Sequence, residues 1–150
     1  MIREYRFGDQ KQIAELFYTT VQTVNAKDYS KEQLDAWING NTEPAIWHQR
    51  LAKKYSLVAV ESERIIGFGE IDRYGYLGHL FVLPGYLRKG VATALCERLE
   101  SLGGKCITTH ASITARPFFE QRDYIVTKKQ QVWREGVCLV NFVMVKVIDR

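Results

Sequence analysis

Apolar and polar positions alternate over Ile2-Arg3-Glu4-Tyr5-Arg6-Phe7, which predicts a first strand closed by Gly8. Asp9 stands where a helix cap is needed, and Ile13, Leu16, Phe17 and Val24 then recur at helical spacing. Ser30 with Gln33 forms a capping-box pattern ahead of Leu34, Trp37 and Ile38. Asn39-Gly40-Asn41 breaks that helix. Pro44 opens another, carrying Trp47 and Leu51 beside the basic Arg50, Lys53 and Lys54. Ser56 to Glu61 and Ile65 to Asp72 read as a hairpin about Ser62-Glu63-Arg64. In the second of these strands the alternation places Ile66, Phe68, Glu70 and Asp72 on one face.

The stretch after Tyr74-Gly75 has a different character. An apolar run, Leu80 to Leu83, stops at Pro84-Gly85 and gives way to the basic loop Arg88-Lys89-Gly90. Ala92, Leu95, Leu99 and Leu102 then form a helical stripe, with Glu97, Arg98, Glu100 and Ser101 on the opposite face and Gly103-Gly104 as the stop. Cys106 to His110 reads as a strand and Ile113 to Arg122 as a helix, with Ala115, Phe118 and Phe119 facing inward. Tyr124 to Trp133 and Val137 to Val147 form a last hairpin around Glu135-Gly136. The apolar Val137–Val147 strand is also a candidate homodimer surface.

A strand, a tight basic loop and a helix make an anion-binding arrangement. The first N–H groups of a helix have no internal acceptor, and the peptide dipoles add about half a positive charge there. Diphosphate is the natural guest. The loop is neither a Walker loop nor a three-glycine dinucleotide fingerprint, because the Gly-Lys-Ser/Thr run and the glycine spacing are both missing.

The segment Val82 to Ala92 resembles the acetyl-coenzyme A loop of the GNAT superfamily of N-acetyltransferases. That pattern is Gln or Arg, two residues, Gly, any residue, then Gly or Ala, after a Val-x-Pro strand end. Here it reads Leu87-Arg88-Lys89-Gly90-Val91-Ala92, with Leu87 replacing the usual first residue. Ser112 to Tyr124 resembles the family's C-terminal segment, with Phe119 where Tyr is common and Asp123 where Gly is common. The order of elements is also that of the family.

The resemblance implies a single α/β (α+β) domain over residues 1–150. Its sheet is mixed, mostly antiparallel, of about seven strands, flanked by helices and splayed between the fourth and fifth. It implies acetyl-CoA as cosubstrate. Leu80, Phe81 and Val82 would line the pantetheine arm, and Leu87, Arg88, Lys89, Gly90, Val91 and Ala92 would hold the diphosphate. Thr93 would add a hydroxyl, and Ser112 would lie near the arm. The implied reaction is direct attack by a primary amine in a ternary complex.

An alkylamine is protonated at neutral pH, so a base must take a proton before attack. Glu70 is the first candidate, since a carboxylate on a central strand is costly to bury without a partner or a task. His79 on the loop's own strand is the second, Asp72 the third, and His110 lies across the expected splay. A backbone N–H near Val82 is the natural donor to the oxyanion. Phe119 cannot protonate a leaving thiolate, so either the thiolate leaves unassisted or another hydroxyl such as Tyr74, Tyr76 or Ser112 reaches it; Tyr124 is too far along the chain to be taken as equivalent. His48 reads as a surface residue.

Composition narrows the classes. Hydrophobic residues make up 46% and charged residues 25% of the 150-residue chain, as in ordinary globular proteins. No apolar run is long enough for a membrane span, and the start does not read as a signal peptide. The three cysteines, Cys96, Cys106 and Cys138, show no metal spacing and read as reduced, mostly buried thiols of a cytoplasmic protein. No metal site is expected. A net charge of +4 suits an anionic cofactor and is too small to indicate nucleic acid. The expected acceptor is a small-molecule or peptide amine, with protein lysines also open. Two other readings remain: an acyl-CoA sensor without turnover, favoured by Leu87 and Phe119, and a nucleic-acid surface built from Arg50, Lys53, Lys54, Lys128 and Lys129.

Overall fold

The computed structural model describes residues 1–148. In chain order the elements are β1 (Ile2–Glu4), α1 (Gln10–Thr23), α2 (Lys31–Ile38), α3 (Pro44–Leu51), β2 (Tyr55–Glu61), β3 (Arg64–Ile71) and β4 (Tyr76–Val82). Then come α4 (Val91–Glu100), β5 (Cys106–Ser112), α5 (Arg116–Gln121), β6 (Ile125–Arg134) and β7 (Val137–Val147). Short 3₁₀ turns lie at Asn25–Lys27 and Pro84–Tyr86.

The strands form one sheet of seven in the order β1-β2-β3-β4-β5-β7-β6. All neighbours are antiparallel except β4 and β5, which run parallel. Among the described residues that pair is joined only at Tyr76↔Thr108 and Leu77↔Thr109. Beyond it the strands part, and β5 from His110 to Ser112 is paired with β7 alone. The expected sheet, with its splay between the fourth and fifth strands, is present.

Each face carries its own core. One gathers Ile13, Phe17, Trp47, Leu51 and Phe68 beneath α1 and α3. The other gathers Leu95, Leu99, Ile107, Phe142 and Met144 beneath α4. Small residues allow the close approach of α4: a Cβ on Gly67 would meet Leu95 and Val91 at 3.1 Å, and one on Gly69 would meet Leu99 at 2.8 Å.

Several local expectations need correction. The first strand stops at Glu4. Asp9 precedes α1 but makes no side-chain cap. Its carboxylate instead accepts from the Arg3 guanidinium at 2.8 and 3.0 Å and from the Arg6 N–H at 3.0 Å. Ile66 belongs to the α4-side core, away from Phe68, because the β2–β3 register shifts beside Ala59/Val60 and interrupts the alternation. Helix α5 begins at Arg116 rather than Ile113. Cys106 is exposed and Cys138 half-buried, so only Cys96 among the three is a buried thiol.

The largest correction concerns α4. Leu102 lies past its end and is exposed, whereas Glu100 is buried. Glu100 accepts from Arg122 at 2.6 Å and Tyr124 Oη at 2.8 Å, with Lys146 at 3.4 Å. A buried carboxylate is tolerated when cations and donors surround it in this way. The Ser30–Gln33 capping box is present in full.

Candidate functional site

The site begins with what the β4–β5 gap exposes. Leu83 N–H donates to Ile66 O across β3–β4, while Val82 O turns the other way and accepts from Thr20 Oγ1 at 3.3 Å. Backbone groups alternate in direction along a strand, so the N–H groups of Leu80 and Val82 face the open edge. Phe81 instead points its ring into the α1-side core, 5.4 Å from Phe17 and stacked on Phe68.

At the mouth of the gap the chain turns through Pro84–Tyr86 and reaches α4 by a loop with Arg88 at φ 61° and Gly90 at φ 81°. Among the described residues, none accepts from the N–H groups of Arg88 to Thr93. Ala94 N–H is the first to bond back, to Gly90 O at 3.0 Å. No atom lies within 4 Å of where a Gly90 Cβ would stand. Leu87, Arg88, Lys89, Gly90 and Thr93 are exposed, and Val91 and Ala92 half-buried. Lys89 Nζ sits over the Tyr86 ring at 5.4 Å. The result is a row of free donors at a helix start, flanked by two cations and open to solvent. That cradle fits a diphosphate by charge and by donor number. On the opposite strand Ser112 Oγ accepts from Ala115 N–H at 3.0 Å, which leaves its own hydrogen available.

Glu70 and His79 are opposed on β3 and β4. The register shifts between Glu70 and Ile71, which leaves Gly78 without a partner and turns Gly78 and His79 to the same face. A Cβ on Gly78 would collide with Glu70 Oε1, so only glycine leaves the carboxylate its place. Glu70 has a solvent exposure of 0%. Its oxygens lie 3.0 and 3.2 Å from His79 Nδ1, and Lys54 Nζ is 3.5 Å away. The His79 ring meets Trp47 edge-on at 5.0 Å. Its side chain keeps 27% of its surface exposed, so the imidazole and not the carboxylate reaches solvent.

Tyr76 lies on the same face. Burial first, then the carboxylates of Glu70 and Asp72, push its phenol up, with Arg134 opposing. Its ring meets His110 at 5.1 Å, and His110 is bonded to Gln130 at 3.3 Å. Asp72 lies at the turn after β3, where Oδ1 accepts from Tyr74 N–H and Tyr76 N–H at 2.9 Å each. Tyr74 is exposed beneath Arg73.

Phe119 is buried, 5.2 Å from Phe118 and 5.0 Å from Tyr124, and the Tyr124 hydroxyl is bonded to Glu100. His48 is half-buried and bonded to Tyr5 Oη at 2.6 Å, which corrects its reading as a surface residue. The basic stripe does not form: Arg50 stacks over Trp47 at 5.1 Å, and Lys54 turns into Glu70. Sequence reasoning missed Arg50 as a cleft residue. Its spacing of three from Trp47, on one helix side, was the available signal. A separate cavity between α1, α2 and the β6–β7 turn, walled by Tyr18, Gln22, Asp35 and Glu135, includes none of the candidate residues.

Comparison with known proteins agrees with the geometry. Residues 25–146 match the Acetyltransferase (GNAT) domain family. The uncharacterized N-acetyltransferase YafP of Escherichia coli (strain K12) is 36% identical over 144 residues, covering 95% of this chain and 93% of that protein. A crystal structure of a GCN5-related N-acetyltransferase from Rhodopseudomonas palustris superposes with a TM-score of 0.94 at 30% identity, over 99% of this chain and 95% of that one. The structure of YncA from Salmonella typhimurium with acetyl-CoA shares the fold, with a TM-score of 0.72 at 17% identity over 99% of this chain and 94% of that one. A match across most of the chain, on a sheet that opens where an acyl carrier would enter, shows that the chain belongs to the GNAT acetyltransferase family.

Proposed function

We propose that this chain is an N-acetyltransferase that moves the acetyl group of acetyl-CoA to a primary amine by direct attack in a ternary complex. The observation that carries the reading is the run of unpartnered N–H groups from Arg88 to Thr93 at the mouth of the β4–β5 gap. Leu87 to Ala92, with Thr93, hold the diphosphate. Leu80, Phe81 and Val82 form the bank along which the pantetheine arm runs, with Ser112 on the other bank. When bound, the cofactor supplies a thioester carbonyl as acyl donor.

The chain's own groups do the rest. His79 takes a proton from the incoming ammonium, because it reaches solvent while Glu70 does not. Glu70 positions it: with Nδ1–H donated to the carboxylate, Nε2 keeps a lone pair for the proton. Lys54 balances the buried charge. Asp72 braces the turn that begins β4. The N–H of Val82 donates to the oxygen on which charge develops. A thiol pKa of about 8.5 lets the leaving group depart without an acid, consistent with Phe119.

The test has two parts. Coenzyme A should bind in calorimetry and fail to bind Gly90→Glu, which sets bulk and negative charge against the diphosphate. His79→Gln should lower kcat by about a hundredfold or more with coenzyme A binding unchanged, and Glu70→Gln should lower kcat without raising KM for acetyl-CoA. Normal binding by Gly90→Glu rejects the loop assignment. Full activity in His79→Gln rejects the base. Phe119 is the observation that favours the other reading, an acyl-CoA sensor. Binding without thiol release for any amine would establish that instead.

A further inference from the structure

Two arginines, Arg50 and Arg134, lie on the sheet face that carries His79. Arg50 follows Trp47 by three residues on α3, and its guanidinium lies over that indole at 5.1 Å. Trp47 in turn meets the His79 ring at 5.0 Å. Arg134 ends β6, two and four residues beyond Val132 and Gln130, so the three share a face. That face is the one where Gln130 bonds His110, and His110 meets Tyr76. Burial first pushes Arg50 below its ordinary value, with Glu70 opposing and the charge of Arg134 adding to the fall.

The carboxylates nearby are already engaged. Glu70 lies between His79 and Lys54, Asp72 accepts from its turn, and Glu135 accepts from Asn39 Nδ2 at 2.6 Å. Among the described residues, neither Arg50 nor Arg134 is in an ion pair. Arg50, Lys54 and Arg134 therefore stand as three cations against the two carboxylates of Glu70 and Asp72 on this face. Like charges gathered at a cleft repel unless an anion joins them, and the planar fork of arginine matches an oxyanion in two bonds.

We propose that Arg50 and Arg134 hold an oxyanion of the acceptor, so that the substrate class is a small primary amine that also carries a carboxylate or a phosphonate. This deepens the acetyltransferase reading and rests on it. The acceptor spans the cleft with its amine at His79 and its anionic end between the guanidiniums. A neutral amine of the same length leaves both arginines unanswered.

The test is calorimetric binding to the full chain saturated with coenzyme A, where no turnover is required. β-Alanine and aminoethylphosphonate are compared with propylamine. At least one anionic amine should bind about tenfold or more tightly than propylamine. Arg50→Gln and Arg134→Gln should each remove that preference while coenzyme A affinity stays unchanged. If propylamine binds as well as both anionic amines, or if the two variants keep the preference, the inference is overturned. The better of the two anions identifies which oxyanion the arginines take. Thiol release is read separately on the same panel. Its absence alongside selective binding rejects the transferase reading and leaves the anion site standing.

Discussion

Gly78 shows how one missing side chain shapes the chemistry. The bulge gives the strand an extra residue, and that residue must leave room for Glu70 Oε1. Gly78→Ala should therefore push the carboxylate off His79 and cost roughly 1–3 kcal/mol from overpacking, seen as a lower urea midpoint. Its kcat should fall further than its coenzyme A affinity, because the proposed diphosphate cradle is at the other end of β4. An unchanged kcat would show that the Glu70–His79 contact has no part in turnover. The pairing of these residues was partly legible in the sequence: the carboxylate and the imidazole were both picked out, but the bulge that joins them was not. A glycine in a strand is compatible with several causes, and only the register shows which one applies.

At the scale of elements, α4 is where period and burial disagree. Helical spacing assigns Glu100 to the solvent face, yet it ties α4 to the α5–β6 connection through Arg122 and Tyr124 and to β7 through Lys146. A sequence pattern registers hydrophobicity, and the tertiary partners that make a buried carboxylate tolerable are remote in the chain. Burial alone would raise the Glu100 carboxyl, but the Tyr124 and Arg122 hydrogen bonds and the charges of Arg122 and Lys146 hold it below its ordinary value. Its contribution to stability is thus present above about pH 4.3, the unfolded value, and is lost as pH falls through the lower folded value. Glu100→Ala should cost about 3 kcal/mol at neutral pH by stranding the partly buried Arg122 and Lys146. Urea melts from neutral to acid pH should show that difference shrinking as the wild type loses the same carboxylate. A constant difference would place the stability elsewhere. The loop ahead of α4, by contrast, was legible as a strand–turn–helix junction because its cause is local: glycine, two cations and a helix start lie within a few residues.

Across the whole molecule, the helical N-terminal region straddles the two halves of the sheet. Thr20 holds Val82 on one bank. On the other, Tyr29 Oη donates to Val140 O at 2.8 Å and accepts from Ile113 N–H at 2.9 Å, Asp28 accepts from Thr114 at 2.7 Å, and Gln33 donates to Cys138 O at 2.9 Å. These ties span up to 111 residues of chain. The order of elements along the chain was readable from local patterns, but contacts of that separation leave no periodic trace. They fix both banks while the Tyr76 and Leu77 pairings fasten one end. The opening is therefore a wedge with a floor, and a wedge acts as a ruler. On the proposed reading, a carrier anchored at the helix start would advance only until its tip met the Tyr76–His110 rings. Acyl length would then be gauged against a fixed stop, and hexanoyl thioesters should turn over far more slowly than acetyl, by competition kinetics. Equal rates would mean that the narrow end yields.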